Sequence, residues 1–383
     1  MSDPQRQWLR CAFLFRWPYN PYLDLLAEEL RAQGVDVQIP DRCLWFASRI
    51  RRGGHVHIVH LQEIAPFFLA TTLPKTIVKS CLSLIQLAYL KLCGTKIVWT
   101  AHDLRTHWER YPRIERAFTT AIAALADAIV THCEGATRAV AARFRVRNAN
   151  KIVSMPHGHF MDAYPNIMDR DTARRHFGLA PGVLVLLCFG LVRAYKGFED
   201  LLDGFFALSR SETHLIIAGK PFDESTARAV RERIAGHDNV TFVPEFISNG
   251  DVQLFMNACD AAVFAYREIL TSGAIILAMS FGKACVAPCK GCIPEVLDAD
   301  GAFLYDGDSG LDLKSVLQRV STQQVRLPAM GVHNRLKVAR WPWKLVAAAT
   351  LEVYRSILPE RAVIFGAANG TVKREERERQ QHD

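Results

Sequence analysis

The sequence has no run of about 20 uncharged apolar residues, so a helix spanning a bilayer is not expected. It opens MSDPQRQ, which lacks the charged-then-apolar layout of a secretory signal and points to a cytoplasmic protein. There is no Walker sequence and no complete dinucleotide glycine pattern, which weighs against ATP hydrolysis and NAD binding. Zinc-finger, basic-zipper and aromatic RNA-binding motifs are missing too, so the net charge of +8 is not read as a nucleic-acid footprint. The run CVAPCKGC, Cys285 to Cys292, resembles part of a zinc site, but no second cysteine pair follows it and Cys285 falls in a strand pattern. No metal ligand set is expected. Most of the ten cysteines sit inside apolar stretches, as free thiols do in a reducing compartment.

What is present is a chain of 383 residues, half of them apolar, long enough for two cores. The positive charge is concentrated at the start: residues 1–160 carry about 21 Lys and Arg against about 12 Asp and Glu, leaving the remainder near −1. That half is expected to face something anionic, such as lipid headgroups or a glycolipid.

Short apolar runs alternate with helical patterns throughout. CAFLF, VDVQIP, HIVHL, KIVWTAH, AIVTHCE and KIVSMPHG each end in polar, Gly or Pro residues, and the rhythm restarts with VLVLLCFG, HLIIAGK, VTFVPEF, AAVFAY and KACVAP. The reading is α/β: two Rossmann-like doubly wound domains facing a cleft, residues 1–165 and 166–340, each with a parallel sheet covered on both faces. A helix over 341–358 packs back on them, and the charged residues 359–383 are expected to be disordered. Such sheets take ligands beyond the carboxyl ends of their strands.

One strand end stands out. In FGLVRAYKGFEDLLDGF, Phe189 to Phe205, a strand stops at Gly190, a loop carries Arg193 and Lys196, and a helix starts near Gly197. Backbone N–H groups and two cations would then converge on one point, an arrangement suited to a diphosphate. An ordinary strand-to-helix turn with solvated charges would look the same in this stretch alone.

Further strand ends follow in fixed order. The series FGxxRxYKG, then AGxP at Ala218 to Pro221, then TSGxxxLAxSFGKxxVAP resembles the donor domain of GT-B glycosyltransferases of the family 4 type. With HGHF at 157–160 before it and FLYDGD at 303–308 after it, the chain is most similar to glycosyltransferase family 94, the family of the xanthan β-1,4-mannosyltransferase. The resemblance is sharp over about residues 152–310 and architectural before that. It implies a nucleotide sugar held by Gly190, Arg193, Lys196, Gly219, Lys220, Tyr266, Thr271, Ser272 and Gly273, with Glu245 and Glu295 near the base or ribose and His157 near the sugar or phosphate. Ser272 would also serve as an N-cap. Retaining family 4 enzymes carry two glutamates eight residues apart around this turn; Ile269 and Leu277 stand at those places here, which suits inversion.

Inversion needs a general base for the acceptor hydroxyl. WTAHDLRTHWER, Trp99 to Arg110, puts His102 and Asp103 at the end of a strand. Asp103 accepts the proton directly, or His102 does so with Asp103 orienting it. On the acceptor side, Arg16, Trp17, Tyr19 and Asn20 form an aromatic and polar loop after the first strand, and His60 ends another. PKTIVKSCLSLIQLAYLKLCG, Pro74 to Gly94, reads as a core helix or as one resting on an anionic membrane.

The resulting expectation is an inverting transferase moving mannose from GDP-mannose to a polyprenyl-diphosphate-linked oligosaccharide in bacterial exopolysaccharide assembly. It would need no resident cofactor or metal and no nucleic acid, and would work in the cytoplasm, peripherally on the inner face of the membrane. UDP-glucuronate or UDP-glucose as donor, a sugar-nucleotide epimerase, and a degenerate non-catalytic binding module are the alternatives.

Overall fold

The computed structural model of the protein describes residues 9–359 apart from 18, 19, 42, 107–109 and 307–309. Tyr19 and the charged tail from residue 360 onward therefore lie outside the described residues. The chain divides into two compact units, Met1–Pro156 with Trp343–Asp383, and His157–Pro342. The division precedes residue 165 because His157–Phe160 is tied into the second unit. The Phe160 N–H donates to Ser280 Oγ at 2.9 Å and the His159 N–H to the Trp341 carbonyl at 3.1 Å.

The first unit holds six strands: β1 (Leu9–Leu14), β2 (Val35–Gln38), β3 (Ile58–Leu61), β4 (Lys96–Thr100), β5 (Ala128–Thr131) and β6 (Ile152–Ser154). They lie in the order β2-β1-β3-β4-β5-β6 and every pairing is parallel. All four residues of β3 and of β5 are buried, as expected for strands covered on both faces. Leu61 pairs with both Leu14 and Trp99, so Phe15, Gln62 and the residues after β4 arrive at the same end of the sheet.

The second unit holds β7 (Leu184–Phe189), β8 (Thr213–Ala218), β9 (Val240–Val243), β10 (Ala261–Val263), β11 (Ala284–Pro288) and β12 (Ala302–Tyr305). Their order is β12-β11-β10-β7-β8-β9, again parallel. Eleven strands coincide with the apolar runs of the sequence; β12 lies in AFLY, which sequence analysis treated as a motif. The order reverses between β7 and β10, the switch point at which doubly wound sheets bind ligands. Below that edge, Leu201, Leu202 and Phe205 of helix Phe198–Phe205 share a core with Val316, Leu317 and Val320 of helix Leu313–Thr322. Each such side chain contributes about 1.5–3 kcal/mol by leaving water.

Helix Trp343–Ile357 belongs to the first unit. Trp343 meets Tyr22 of helix Tyr22–Ala32 edge-on at 4.9 Å, and Tyr354 reaches the sheet, where the Cys11 thiol donates to its hydroxyl at 3.4 Å. Helix Leu73–Leu92 buries a mixed face, Thr76, Ser80, Ser83 and Gln86 together with Leu87 and Leu90, and exposes Ile77, Val78, Ile85 and Leu92. Its polar face is satisfied by neighbouring backbone: Ser83 Oγ donates to the Phe67 carbonyl at 2.7 Å, and Gln86 both donates to the Leu44 carbonyl and accepts from the Ala47 N–H.

Asn334 ties helix Leu327–Val338 to the sheet of the second unit. Fully buried, its amide donates to the Lys283 and Gly301 carbonyls at 2.8 and 2.7 Å. Removing it strands both buried acceptors, so Asn334→Ala is expected to cost about 1–3 kcal/mol. A fall of several degrees in melting temperature would register that loss, and an unchanged melt would refute it.

Candidate functional site

At the switch point of the second unit the β7 strand ends in Phe189, paired with Ala218 of β8, so Gly190 and Gly219 lie side by side. Gly219 has φ +148°, and a Cβ there would stand 2.1 Å from the Gly190 carbonyl oxygen. Gly219 cannot carry a side chain without moving Gly190. The space so created is taken by Lys196: a Cβ on Gly190 would come within 3.0 Å of its Nζ. Gly197, at φ +63°, lets the chain turn into helix Phe198–Phe205 against the Ala265 carbonyl, where a Cβ would stand 2.1 Å away.

Lys196 is buried. Its Nζ donates to the Phe189 carbonyl at 3.4 Å and lies 5.9 Å from the centre of the Tyr266 ring. Burial depresses its pKa to about 8; the Cys188 thiol opposes that shift and the Arg193 guanidinium adds to it. Arg193 spreads over the Phe222 ring at 4.9 Å, on a loop fixed by the Val192 N–H donating to the Lys220 carbonyl and the Phe222 N–H donating to that of Val192.

From β10 the chain runs through Tyr266, whose hydroxyl is 2.9 Å from Ser272 Oγ. Ser272 caps helix Gly273–Ser280 by accepting from the Ile275 N–H at 3.3 Å. His157 comes to the same place. Its Nδ1–H donates to the Gly158 carbonyl at 2.7 Å, and its Nε2 would lie 3.8 Å from a Cβ on Gly273. Thr271 is half-buried beside this cap. The segment is braced from β11: Gly291, at φ +54°, packs on the carbonyls of Ile269 and Leu270, and the Cys292 N–H donates to the latter.

Gly190, Lys196, Gly219, Tyr266, Ser272, Gly273 and His157 are thus linked by direct contacts in one neighbourhood, with Arg193 on the loop between Gly190 and Lys196. Lys220, Glu245 and Glu295 are exposed. Glu245 follows the edge strand β9, and Glu295 lies in the short helix Ile293–Val296. The glutamate positions of retaining relatives hold Ile269 and a buried Leu277. One grouping among the described residues offers cation ligands, Asp298, Asp300 and His333, but the Lys337 ammonium already stands 2.7 Å from Asp298.

In the first unit, His102 and Asp103 follow β4, both half-buried. The next helix begins only at Pro112, so Asp103 is not its cap. The His102 Nε2–H donates to Gln62 Oε1 at 2.9 Å, and its ring lies 5.1 Å from those of Tyr22 and His132. The acceptor-side expectation needs correction at His60. This residue is 1% exposed, with Nδ1 2.7 Å from the Tyr354 hydroxyl and Nε2 2.7 Å from Thr100 Oγ1. Burial holds its pKa down at about 3. It is a core residue, not a wall of an acceptor site. Arg16 pairs with Asp24 at 2.7 Å, Trp17 is 41% exposed, and Asn20 Oδ1 accepts from the Tyr22 N–H at the start of a helix. Phe15, between β1 and this loop, has φ +70°, unusual for a bulky residue. A cavity of about 320 Å³ opens beside it, with Leu14, Pro40, Phe46, Phe67 and Lys79 in its wall.

Sequence reading missed Gln62, Tyr22 and His132. Gln62 was findable as the residue directly after a strand. Tyr22 and His132 were not, because their relation to His102 is made by the fold.

Residues 183–321 match the family model described as Glycosyl transferases group 1. Over 332 residues the chain is 28% identical to the GDP-mannose:glycolipid 4-beta-D-mannosyltransferase of Xanthomonas campestris pv. campestris, covering 84% of this chain and 85% of that one. The chain is a glycosyltransferase. Its fold is that of the GT-B enzymes, and solved structures agree. Sucrose-phosphate synthase of Thermosynechococcus elongatus superposes with a TM-score of 0.72 at 16% identity, over 91% of this chain and 98% of that one. Anabaena Alr3699/HepE, in complex with UDP and glucose, superposes with a TM-score of 0.69 at 15% identity, over 91% and 100%.

For this glycosyltransferase the depressed Lys196 pKa gives a test of the expectation that a diphosphate binds here. An incoming diphosphate favours the charged ammonium, so GDP binding at about pH 8.5 should take up a fraction of a proton and weaken as pH rises further. Calorimetry in buffers of different ionisation enthalpy measures that uptake, and Lys196→Met should abolish it. Without ligand the linkage has the opposite sense. Between about pH 8 and the ordinary lysine value of 10.5 the unfolded chain binds more protons, so this group's contribution to stability rises with pH. Equal proton uptake by wild type and Lys196→Met would remove Lys196 from the site.

Proposed function

We propose that the enzyme transfers mannose from GDP-mannose, with inversion, to a polyprenyl-diphosphate-linked oligosaccharide during exopolysaccharide assembly at the cytoplasmic face of the membrane. The observation that carries this reading is the similarity over 84% of the chain to a protein named as a GDP-mannose:glycolipid 4-beta-D-mannosyltransferase. The buried ammonium of Lys196, the Arg193 loop and the capped helix Gly273–Ser280 supply what a leaving nucleoside diphosphate requires: positive charge and N–H groups in a site of low dielectric. These groups take the electrostatic part a metal ion plays elsewhere, so the reaction is read as metal-independent.

The apolar residues at the places of the retaining glutamate pair, Ile269 and Leu277, favour direct displacement. The acceptor oxygen then bonds to the anomeric carbon as the bond to the diphosphate oxygen breaks, and the electron pair leaves with the diphosphate. The acceptor proton passes to a base, read as His102 with Asp103 beside it.

The exposed side of helix Leu73–Leu92 supports a peripheral membrane attachment. Val78, Ile85 and Leu92 are 65%, 63% and 89% exposed, and Trp45, which lines a surface hollow with Gln86 and Tyr89 of this helix, is 57% exposed. Arg51 lies 5.8 Å over the Tyr89 ring of the same helix, so cations fringe the apolar face as they do on interfacial helices. Among the described residues no helix is long and apolar enough to cross a membrane.

Purified enzyme given GDP-mannose and a lipid-linked oligosaccharide fraction should release GDP and form a product cleaved by β-mannosidase, with full activity in EDTA. UDP-glucose and UDP-glucuronate serve as competing donors. Product from either of them alone, or an α-linked product, would overturn the donor or the stereochemistry. His102→Ala should lower kcat by about 10²-fold or more. Flotation with anionic vesicles at low salt should carry the protein, and Val78→Glu with Ile85→Glu should release it. Wild-type protein that stays at the bottom of the gradient would end the membrane reading.

A further inference from the structure

The first unit contains a hydrogen-bonded chain of polar groups that runs through its core and reaches the half-buried His102. We propose that Gln62 is a positioning residue for the transfer reaction, fixing the His102 imidazole as the Nε2–H tautomer so that Nδ1 is the proton acceptor. This inference rests on the reading of His102 as the base.

Gln62 is 6% exposed and directly follows β3. Its amide oxygen can only accept, and it stands 2.9 Å from His102 Nε2. The neutral His102 ring therefore carries its proton on Nε2 and its lone pair on Nδ1. The orientation of the amide is coupled to the groups behind it. Gln62 Nε2 is 3.4 Å from His60 Nε2, which also stands 2.7 Å from Thr100 Oγ1. His60 Nδ1 stands 2.7 Å from the Tyr354 hydroxyl. A reversed amide would set its oxygen against His60 Nε2, which would then have to carry the proton, and would present N–H groups to His102. The chain has two mutually exclusive registers, and every member changes between them together.

Charge does not disturb this chain near neutrality. His60 stays uncharged because burial outweighs any gain from protonation. Tyr22 and His132 are among the groups facing the His102 ring, with Asp103 next to it in the chain. Burial raises the Tyr22 pKa, and it lowers that of His132 to about 4 despite its hydrogen bond to the Met155 carbonyl. The three rings lie 5.1–5.9 Å from one another, and Gln62 takes the hydrogen bond at His102 Nε2.

In the transfer step the acceptor proton moves to His102 Nδ1 as the acceptor oxygen bonds to the anomeric carbon and the diphosphate leaves with the electron pair. The imidazolium then presents Nε2–H to a neutral oxygen. A carboxylate in that place would favour the charged ring and raise its pKa. Gln62→Glu should therefore move the acidic limb of the kcat/KM profile up by about one pH unit. Gln62→Ala should lower kcat about tenfold without that upward shift and without changing the Kd for GDP. If Gln62→Glu and Gln62→Ala have the same reduced kcat and an unmoved limb, Gln62 has a packing role only and the proposal fails. If His102→Ala keeps wild-type turnover, the base reading fails instead, and the two failures are told apart.

A measurement on the unaltered chain removes dependence on the folding of variants. The 15N–1H spectrum of histidine-labelled enzyme near neutral pH, with the His102 signals identified from their loss in His102→Gln, should show the Nε2–H tautomer. An Nδ1–H tautomer for His102 in the wild type would overturn the proposal.

Discussion

A lysine ammonium held almost out of water at the end of β7 is the constraint on which the second unit depends. Its place exists because Gly190 and Gly219 bring two backbones closer than any side chain would allow. It is closed on the other side by Tyr266 and by the turn at Gly197 against Ala265. A cation in such a place lowers its own pKa and gains most when an anion enters. An anion entering such a place would offset the cost of the buried charge, which is why the proposed diphosphate site is set there. Ser272, Gly273 and His157 continue the same neighbourhood along the start of helix Gly273–Ser280, the positive end of its dipole.

The first unit solves a different problem, that of carrying polar groups through a core without leaving them unsatisfied. Cys11, Tyr354, His60, Thr100, Gln62 and His102 form a continuous series of contacts. A buried series of this kind is stable only when each donor meets an acceptor, so it also fixes orientation. Helix Trp343–Ile357 contributes Tyr354 to it, so a segment from the other side of the second unit in sequence becomes part of the interior of the first unit. The second unit is inserted between these two pieces of sequence.

Helix Leu73–Leu92 departs from the usual division of polar and apolar residues. Hydroxyls and an amide face the body of the unit beside Leu87 and Leu90 because loop carbonyls and N–H groups await them there. Ile77, Val78, Ile85 and Leu92 are left facing outward. The sequence reading offered a core helix or an interfacial one for this segment because apolar residues nearly encircle it, and periodicity alone does not tell which side meets the protein.

By itself the sequence determined the class of fold and eleven of the twelve strands among the described residues, and it named the glycines and cations that the structure gathers at the switch point of the second unit. Parallel strands buried on both faces read as unbroken apolar runs, and these glycines and cations sit within a few residues of their strand ends. Gly190, Lys196 and Gly197 lie on one continuous stretch, so local order carries them. What the tertiary structure decided is everything set by contacts between distant segments. His60 looked like a strand-end residue open to a ligand, yet Tyr354 and Thr100 enclose it and turn it into part of the core. Gln62, Tyr22 and His132 meet His102 because adjacent strands end in register and a helix crosses their edge. No pattern within a short window records such a meeting, since its energy comes from burial and pairing that exist once the sheet has formed.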